Sequence, residues 1–288
     1  MPRKPSDYDT RRWIQWCPGC GNYAILMAFR QALAELDIDP EKLVIVAGIG
    51  CYGRMTNYVL ANGFHVIHGR PVPVATGIKL ANPELLVVAF SGDGDAYAIG
   101  ISHLPHAARR NIGIKLFVHN NSVYGLTRGQ VSPTSPEGFK TRTTPKGSIE
   151  QPINPIALAL ASGATFVARA FAGDVQHMKK LMIEAIKHRG FALLDILQPC
   201  VTYNYLYTYQ YFRERVYKLE EEGHDPTDLN RAWEKAWEWG ERIPIGIFYR
   251  REDVPALEER IPALRKAPLI KHDITNIDIS KLLQEHTI

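Results

Sequence analysis

Two short polar motifs have the residue types of a metal-diphosphate site. Gly92-Asp93-Gly94 follows the apolar run 85–90, and Asn120-Asn121 follows the apolar run 114–118. Magnesium takes a small octahedral set of hard oxygens and keeps phosphate oxygens among them. The carboxylate of Asp93, the amide of Asn121 and the main-chain carbonyl of Val123 can supply the protein's share. Either motif alone is ordinary turn chemistry, so the prediction rests on the pair.

The residues around these motifs extend the predicted site. Gly92 and Gly94 have no side chain, so main-chain amides can come close to phosphate. Asp95 continues the first motif, and Tyr124-Gly125-Leu126 continues the second. We expect Tyr124 and Leu126 to cover the ring of the cofactor and exclude water. The paired motifs fit the metal-diphosphate grip of a thiamine enzyme.

The four cysteines form the second group of residues that can do chemistry. Cys17 and Cys20 make a CxxC pair, and Cys51 and Cys200 lie far from it in sequence. Such a set can hold zinc or a [4Fe–4S] cluster, act as a redox dithiol, or form two disulfides. Disulfides are disfavoured because no signal peptide is evident, and a dithiol needs only the CxxC pair. Structural zinc usually stabilises a short loop, whereas these cysteines lie on separate segments of a chain large enough to form its own core. The spacing therefore favours a cluster over zinc, and both stay open.

Alternating elements must position these motifs. The hydrophobic patterns predict an α/β fold, a doubly wound and mostly parallel sheet covered by helices on both faces. The carboxyl ends of neighbouring strands then form the crevice in which such sheets bind ligands. We predict helices at 21–36, 73–80, 95–110, 155–162 and 174–188, and strands at 43–47, 64–67, 85–90, 114–118, 165–169 and 191–197.

The overall composition limits the class of function. The chain has 288 residues, 45% of them hydrophobic, enough for one large domain with an appendage. A net charge of +4 is mild and scattered, which argues against nucleic acid as a partner. Arg109-Arg110 is interpreted as a solvated helix end, with a docking patch for an acidic partner as the weaker alternative. No apolar run reaches the roughly 20 residues of a membrane span, and the expected compartment is the cytoplasm.

The chain changes character after residue 204. We predict one cofactor-binding domain at 1–204 and a C-terminal, aromatic-rich extension at 205–288. Trp233 and Trp237 are four residues apart and share a helix face. The extension is interpreted as a subunit-contact arm, because Tyr and Trp are favoured at interfaces. Packing of the aromatics back onto the core is the alternative. Residues 240–288 are expected to wrap the surface with short helices.

The ordered motifs resemble the β subunit of 2-oxoacid:ferredoxin oxidoreductases, most closely the 2-oxoglutarate branch. The resemblance covers most of residues 12–204. It is carried by CPGCG at 17–21, GIGC at 48–51, HGR at 68–70, PVATGIKLANP at 73–83, GDGDAYAIG at 92–100, HAARRN at 106–111, NNSVYGLTRGQVSPTSP at 120–136 and LQPCVTYN at 197–204.

The resemblance implies the cofactors and the reaction. It implies thiamine diphosphate with Mg²⁺ at Asp93, Asn121 and Val123, and one [4Fe–4S] cluster on Cys17, Cys20, Cys51 and Cys200. The loop at Gly50-Cys51 would approach the thiamine. The implied reaction is the reversible, coenzyme A-dependent oxidative decarboxylation of a 2-oxoacid, with 2-oxoglutarate as first choice and pyruvate as the alternative. Electrons would leave through the cluster to ferredoxin.

Two further residues have implied roles in this chemistry. Arg54 occupies a position that faces the substrate in relatives, where a guanidinium could pair with a carboxylate. An exposed surface arginine is the equal alternative. His68, in the HGR motif, is expected to touch the cofactor or orient the substrate. His103, His106 and His119 are interpreted as structural.

A missing residue predicts a partner. The chain shows no clear glutamate for the aminopyrimidine of thiamine, and in the resembling family that residue lies on another subunit. We therefore expect an α (or fused α/γ) subunit that brings the glutamate and the coenzyme A site, in an (αβ)2 assembly. The competing classes are a redox-free thiamine-dependent decarboxylase, which has no use for the cysteines, and a zinc-bound scaffold, which has no use for the diphosphate site.

Overall fold

The computed structural model describes residues 2–275 and 277–287. Its strands are β1 (Leu43–Ala47), β2 (Asn62–His65), β3 (Leu86–Gly92), β4 (Ile114–Asn120), β5 (Phe166–Phe171), β6 (Ala192–Leu197), β7 (Val216–Lys218) and β8 (Ile243–Arg250). Its helices are α1 (Gly21–Glu35), α2 (Met55–Tyr58), α3 (Pro71–Ala81), α4 (His103–Arg110), α5 (Pro155–Ala161), α6 (Val175–Lys187), α7 (Tyr209–Arg213), α8 (Leu229–Ala236), α9 (Leu257–Arg260), α10 (Pro262–Lys266) and α11 (Ser280–His286).

Within these residues the strands form one eight-stranded sheet in the order β2-β1-β3-β4-β6-β5-β8-β7. Neighbours pair in parallel, apart from β5 and β8, which are antiparallel. Along β3, Val88 and Phe90 pack in one apolar cluster with α1 and α6, while Val87 and Ala89 pack in a second cluster on the opposite face. Burial on both faces explains why the central strands appear as unbroken apolar runs.

The sheet topology brings the two polar motifs together. Gly92, at the end of β3, lies opposite His119 in the register with β4. Asp93 and Asn121 therefore leave neighbouring strands at the same edge of the sheet. The predicted doubly wound, mostly parallel sheet is confirmed.

One predicted helix is wrong over its first half. The expected helix at 95–110 is a single π-helical turn, Asp95–Ile99, followed by a break and by α4. The side chain of Asp95 points inward and accepts hydrogen bonds from the main chain of Gly69 and the hydroxyl of Ser91. Gly100 packs against the carbonyl of Asp95, where a side chain would collide. The main-chain N–H of Gly100 donates to the carbonyl of Asp95, five residues earlier, so this turn is wider than an α-helical turn and the helix does not continue through it.

The C-terminal residues contribute to the sheet. The expectation of surface wrapping from residue 240 onward is wrong for β8, whose Ile243, Ile245 and Phe248 are buried. Trp233 and Trp237 lie together at the end of α8 as predicted, with ring centroids 6.0 Å apart. A subunit-contact role for 205–288, and the division at residue 204, stay predictions. No helix among the described residues has both the length and the apolar character needed to cross a membrane.

Candidate active site

A cleft of ≈ 260 Å³ opens where β3 and β4 end. Its walls contain both predicted diphosphate motifs and parts of three other loops. Lining residues are Ile49, Gly50, Cys51, Tyr52, His68, Gly92, Asp93, Gly94, Asp95, His119, Asn121, Val123, Tyr124, Leu126, Thr127 and Gln198. The sequence-predicted cofactor residues thus surround one space, apart from Gly125, which lies just beside it.

Asp93 is one of two buried carboxylates in the cleft, with only 2% of its surface exposed. Its Oδ2 accepts hydrogen bonds from the hydroxyls of Ser132 and Thr134. Burial raises the pKa of Asp93 to about 6, and the two hydroxyls act in the opposite direction. A cation in the cleft would offset the cost of burying this charge, so the residue fits a divalent metal.

Asn121 and Val123 present further oxygens beside Asp93. Asn121 Oδ1 accepts from the main-chain N–H of Val123 at 3.1 Å, and its Nδ2 donates to Gln198 Oε1 at 3.0 Å. The donor set of one carboxylate, one amide and one carbonyl has the hard character that Mg²⁺ selects. These residues can therefore hold a magnesium diphosphate.

His68 lies beside Asp95 at the cleft. Its Nδ1 lies 2.9 Å from Asp95 Oδ1, which also accepts from the main chain of Gly69 at 2.6 Å. Asp95 is 1% exposed, whereas the side chain of His68 is one-third exposed. The buried carboxylate fixes the loop that carries His68 into the cleft.

The loop after Asn121 forms one wall. The hydroxyl of Tyr124 donates to the main-chain carbonyl of Gly94 at 3.3 Å. A Cβ atom at Gly94 would lie 2.1 Å from the ring of Tyr124, so only glycine permits this approach. Leu126 lies at the mouth with half its surface exposed.

The four cysteines line a second cavity of ≈ 190 Å³. Cys17 and Cys20 enter it from the segment before α1, and Cys51 and Cys200 enter from the loops after β1 and β6. A Cβ atom at Gly125 would lie 3.7 Å from Cys200 Sγ and 4.0 Å from Cys51 Sγ. The cysteines are unpaired in the structure, and among the described residues no three His, Cys, Asp or Glu side chains form a group for a single metal ion.

Burial dominates the electrostatics of these thiols. It raises the pKa of Cys20 to about 12 and raises the pKa of Cys51, and Cys17 and Cys200 add to both shifts. Arg54 opposes the shift in the pKa of Cys51.

The cleft and the cysteine cavity share a wall. Cys51, Asn121, Leu126 and Gln198 line both spaces. Gln198 makes a hydrogen bond on each side of this wall. Its Oε1 accepts from Asn121 Nδ2, and its Nε2 donates to Cys20 Sγ at 3.3 Å.

Arg54 lines the cysteine cavity and is absent from the lining of the cleft. Its Nη1 donates to Gln15 Oε1 at 2.5 Å. Its implied contact with a substrate carboxylate stays a prediction.

Several residues of the site have no signal in the sequence patterns. Ser132 and Thr134 reach it from one loop and Tyr52 and Gln198 from two others, and their contacts depend on the fold. Apart from Tyr52 they lie within the motifs quoted above, but spacing alone gives them no role. His119 was interpreted as structural, and it is buried with Nδ1 2.7 Å from Asn22 Oδ1.

Fold and cleft together define a thiamine diphosphate-binding domain. Residues 48–196 match the family described as thiamine pyrophosphate enzyme, C-terminal TPP binding domain. Residues 200–266 match the family described as the C terminal part of the pyruvate ferredoxin oxidoreductase beta subunit. The chain belongs to the 2-oxoacid:ferredoxin oxidoreductase β-subunit family.

Similar proteins support this membership over most of the chain. The 2-oxoacid:ferredoxin oxidoreductase subunit beta of Saccharolobus solfataricus is 51% identical over 261 residues, 86% of this chain and 86% of the relative. The 2-oxoglutarate synthase subunit KorB of Archaeoglobus fulgidus is 47% identical over 188 residues, 65% of this chain and 70% of the relative.

A solved structure has the same fold. A chain of the 2-oxoglutarate:ferredoxin oxidoreductase from Magnetococcus marinus, with 2-oxoglutarate, coenzyme A and succinyl-CoA bound, superposes with a TM-score of 0.91 at 39% identity. The match covers 99% of this chain and 97% of that chain. The family, the fold and the identification as an enzyme's β subunit, which requires a partner subunit, are confirmed.

Proposed function

We propose that this chain forms, with an α subunit, a 2-oxoglutarate:ferredoxin oxidoreductase. The reaction converts 2-oxoglutarate and coenzyme A to succinyl-CoA and carbon dioxide, reversibly, and passes electrons to ferredoxin. The observation that carries the proposal is the shared wall of the two cavities, in which Gln198 contacts both Asn121 and Cys20. The names of the Archaeoglobus relative and the Magnetococcus structure favour 2-oxoglutarate over pyruvate.

Different residues of the cleft bind different parts of the cofactor. Asp93, Asn121 and the carbonyl of Val123 hold Mg²⁺, and Gly92 and Gly94 leave room for the diphosphate. Thiamine diphosphate, when bound, supplies the carbon nucleophile and the electron sink for decarboxylation. Tyr124 and Leu126 exclude water from the ring.

His68 in the cleft and Arg54 in the neighbouring cysteine cavity act on the substrate. His68, whose Nδ1 lies 2.9 Å from Asp95 Oδ1, lines the cleft and contacts substrate or cofactor. Arg54 pairs with a substrate carboxylate. Its guanidinium donates to Gln15 Oε1 in the structure, and the substrate carboxylate takes the place of Gln15. A planar guanidinium matches a carboxylate with two parallel hydrogen bonds.

The cysteine cavity holds one [4Fe–4S] cluster on Cys17, Cys20, Cys51 and Cys200. Each thiolate of such a cluster binds a different iron, so four thiols must surround a common space, as they do here. The cluster, when bound, supplies a one-electron acceptor beside the cleft. Cys17, Cys20, Cys51 and Cys200 would hold the cluster as thiolates.

The partner completes the cleft at its open mouth. Exposed apolar side chains of Ile49 and Leu126 line that mouth, as expected for a surface covered by another subunit. Among the described residues, the lining of the cleft contains no glutamate. The α subunit therefore brings the thiamine-activating glutamate and the coenzyme A site, and two αβ pairs assemble as (αβ)2.

Ferredoxin docks beside the cysteine cavity. Four exposed basic residues, Arg128, Lys140, Arg142 and Lys146, lie on the loop at 126–148. Within residues 2–275 and 277–287, none of them has a carboxylate partner. Gly129 packs against Tyr203, a residue of the cavity wall. Arg109-Arg110 ends α4 at the opposite edge of the sheet, so the basic loop is the better surface for an acidic carrier.

Ferredoxin reduction by the purified αβ complex tests this function. We expect anaerobic reduction with 2-oxoglutarate and coenzyme A, and little with pyruvate. Reduction with pyruvate alone would overturn the substrate and keep the enzyme class. Release of carbon dioxide without ferredoxin reduction would favour the redox-free decarboxylase.

A further inference from the structure

Two hydroxyls converge on one oxygen of Asp93. Ser132 Oγ and Thr134 Oγ1 both donate to Asp93 Oδ2, and the Thr134 contact measures 2.8 Å. Both side chains are buried, with 7% of the surface of each exposed. The carboxylate is the strongest acceptor near the single hydroxyl proton of Thr134. Both protons therefore go to Oδ2.

Oδ2 has no capacity left for a cation. A carboxylate oxygen has about two lone-pair sites, and the two hydroxyls occupy both. In the part of the chain that the structure describes, no side-chain hydroxyl or amide donates to Oδ1. Asp93 can thus offer Oδ1 to a metal without breaking either side-chain hydrogen bond to Oδ2.

The loop that carries the hydroxyls is fixed independently of Asp93. Ser135 Oγ donates to the main-chain carbonyl of Ser122 at 2.7 Å and accepts from the main-chain N–H of Ser132 at 2.8 Å. These bonds tie the loop to the end of β4. Rotation of the carboxylate toward two-oxygen coordination therefore cannot be accommodated by a simple shift of the loop.

We propose that Ser132 and Thr134 set the metal selectivity of the diphosphate site by making Asp93 a one-oxygen ligand. Mg²⁺ demands near-ideal octahedral geometry with one oxygen from each ligand, whereas Ca²⁺ accepts carboxylates through both oxygens at longer distances. A carboxylate locked in the one-oxygen mode favours the smaller ion. This inference rests on the proposed magnesium diphosphate site at Asp93.

The test is the binding of thiamine diphosphate to the cofactor-depleted αβ complex, measured by calorimetry with magnesium or calcium chloride. Wild type is compared with the double variant Ser132→Ala/Thr134→Val, which removes both donors at nearly constant volume. Thr134→Ser keeps the hydroxyl and should behave as wild type. Ser135→Ala, which loosens the same loop without touching Asp93, is the matched structural control.

The readout is the dissociation constant of thiamine diphosphate measured with calcium, divided by the one measured with magnesium. We expect the preference for magnesium over calcium, expressed as this ratio, to fall about tenfold in the double variant. The ratio should be unchanged in Thr134→Ser and Ser135→Ala. An unchanged ratio in the double variant would overturn the selectivity role. An equal loss in Ser135→Ala would overturn it also, because the effect would then follow from loop order. Wild type that binds no thiamine diphosphate with either metal would instead overturn the proposed cofactor site.

Discussion

Gln198 links two sites with one side chain. Its oxygen orients the amide of Asn121 and its nitrogen lies 3.3 Å from Cys20 Sγ. Hydrogen bonds to cysteine sulfur are among the factors that set the potential of an iron–sulfur cluster. A glutamine in the LQPC motif has no obvious role until the fold brings it between the two cavities.

Removal of this donor should lower the reduction potential of the proposed cluster. In Gln198→Met the thiolate of Cys20 loses an N–H donor, which leaves more charge on sulfur and makes the reduced cluster less stable. Redox titration of the complex, followed by electron paramagnetic resonance, measures the change. Gln210→Met, an exposed glutamine on α7, is the control. A potential equal to that of wild type would exclude the hydrogen bond as a tuning element.

His188 should make the chain lose stability in acid. Burial, together with the charges of Lys115 and Arg250, lowers the pKa of His188 to about 3. Its Nε2 lies 2.8 Å from Thr165 Oγ1, while Nδ1 is buried without a partner. The unfolded state binds the proton below its ordinary pKa of about 6.5, so stability is full above that pH and falls from there toward about pH 3.

The comparison of wild type with His188→Gln isolates this contribution. Urea unfolding of the full chain should show wild type losing on the order of 1 kcal/mol more than the variant between about pH 7.5 and about pH 5. Glutamine can keep a donor to Thr165 without taking up a proton. Equal losses in the two proteins would contradict the assigned neutral state of His188.

At the scale of elements, β8 is the main difference between prediction and structure. The central strands β1, β3, β4, β5 and β6 were predictable because both faces are buried and the runs are apolar. β8 contains Pro244 and Gly246 and borders charged residues, which resembles a loop. Ile243, Ile245 and Ile247 alternate as in a strand, but the Pro and Gly between them mask that signal, and the pairing with β5 depends on tertiary contacts.

Truncation of Phe248 should therefore destabilise the core. Phe248 is fully buried in the cluster that covers the α5 and α8 face of the sheet. Phe248→Ala should lower the free energy of unfolding by about 3–5 kcal/mol. Leu282→Ala, in the exposed helix α11, should change it little. Urea unfolding of the full chain measures both, and similar effects of the two substitutions would argue against β8 as a core strand.

The candidate site was predictable only in part, for a related reason. Asp93 and Asn121 follow recognisable strands, so the sequence predicts that they meet at one edge. Ser132 and Thr134 lie in a long irregular loop, and their contacts with Asp93 depend on how that loop folds back. The course of the chain after Asp95 was also missed, because a buried carboxylate and Gly100 replace the helix that the pattern favours.

At the scale of the whole molecule, the basic loop beside the cysteine cavity should control the encounter with ferredoxin. Charge reversal in Arg128→Glu/Arg142→Glu should raise the KM for ferredoxin by roughly threefold or more at low ionic strength, with a smaller effect in high salt. Steady-state kinetics of the complex measure this. Arg109→Glu, at the far edge of the sheet, should leave KM unchanged, and an equal effect there would indicate a general charge effect in place of a docking surface.

The central claim is that electrons pass from the cleft of this chain to a cluster in its own cysteine cavity. Electron paramagnetic resonance of the anaerobic αβ complex after addition of 2-oxoglutarate, without ferredoxin, tests it most directly. We expect the signal of a reduced cluster in wild type. Asp93→Asn should show no such signal with 2-oxoglutarate, although dithionite should still reduce its cluster. Absence of the signal in wild type, or an undiminished signal in Asp93→Asn, would contradict the claim.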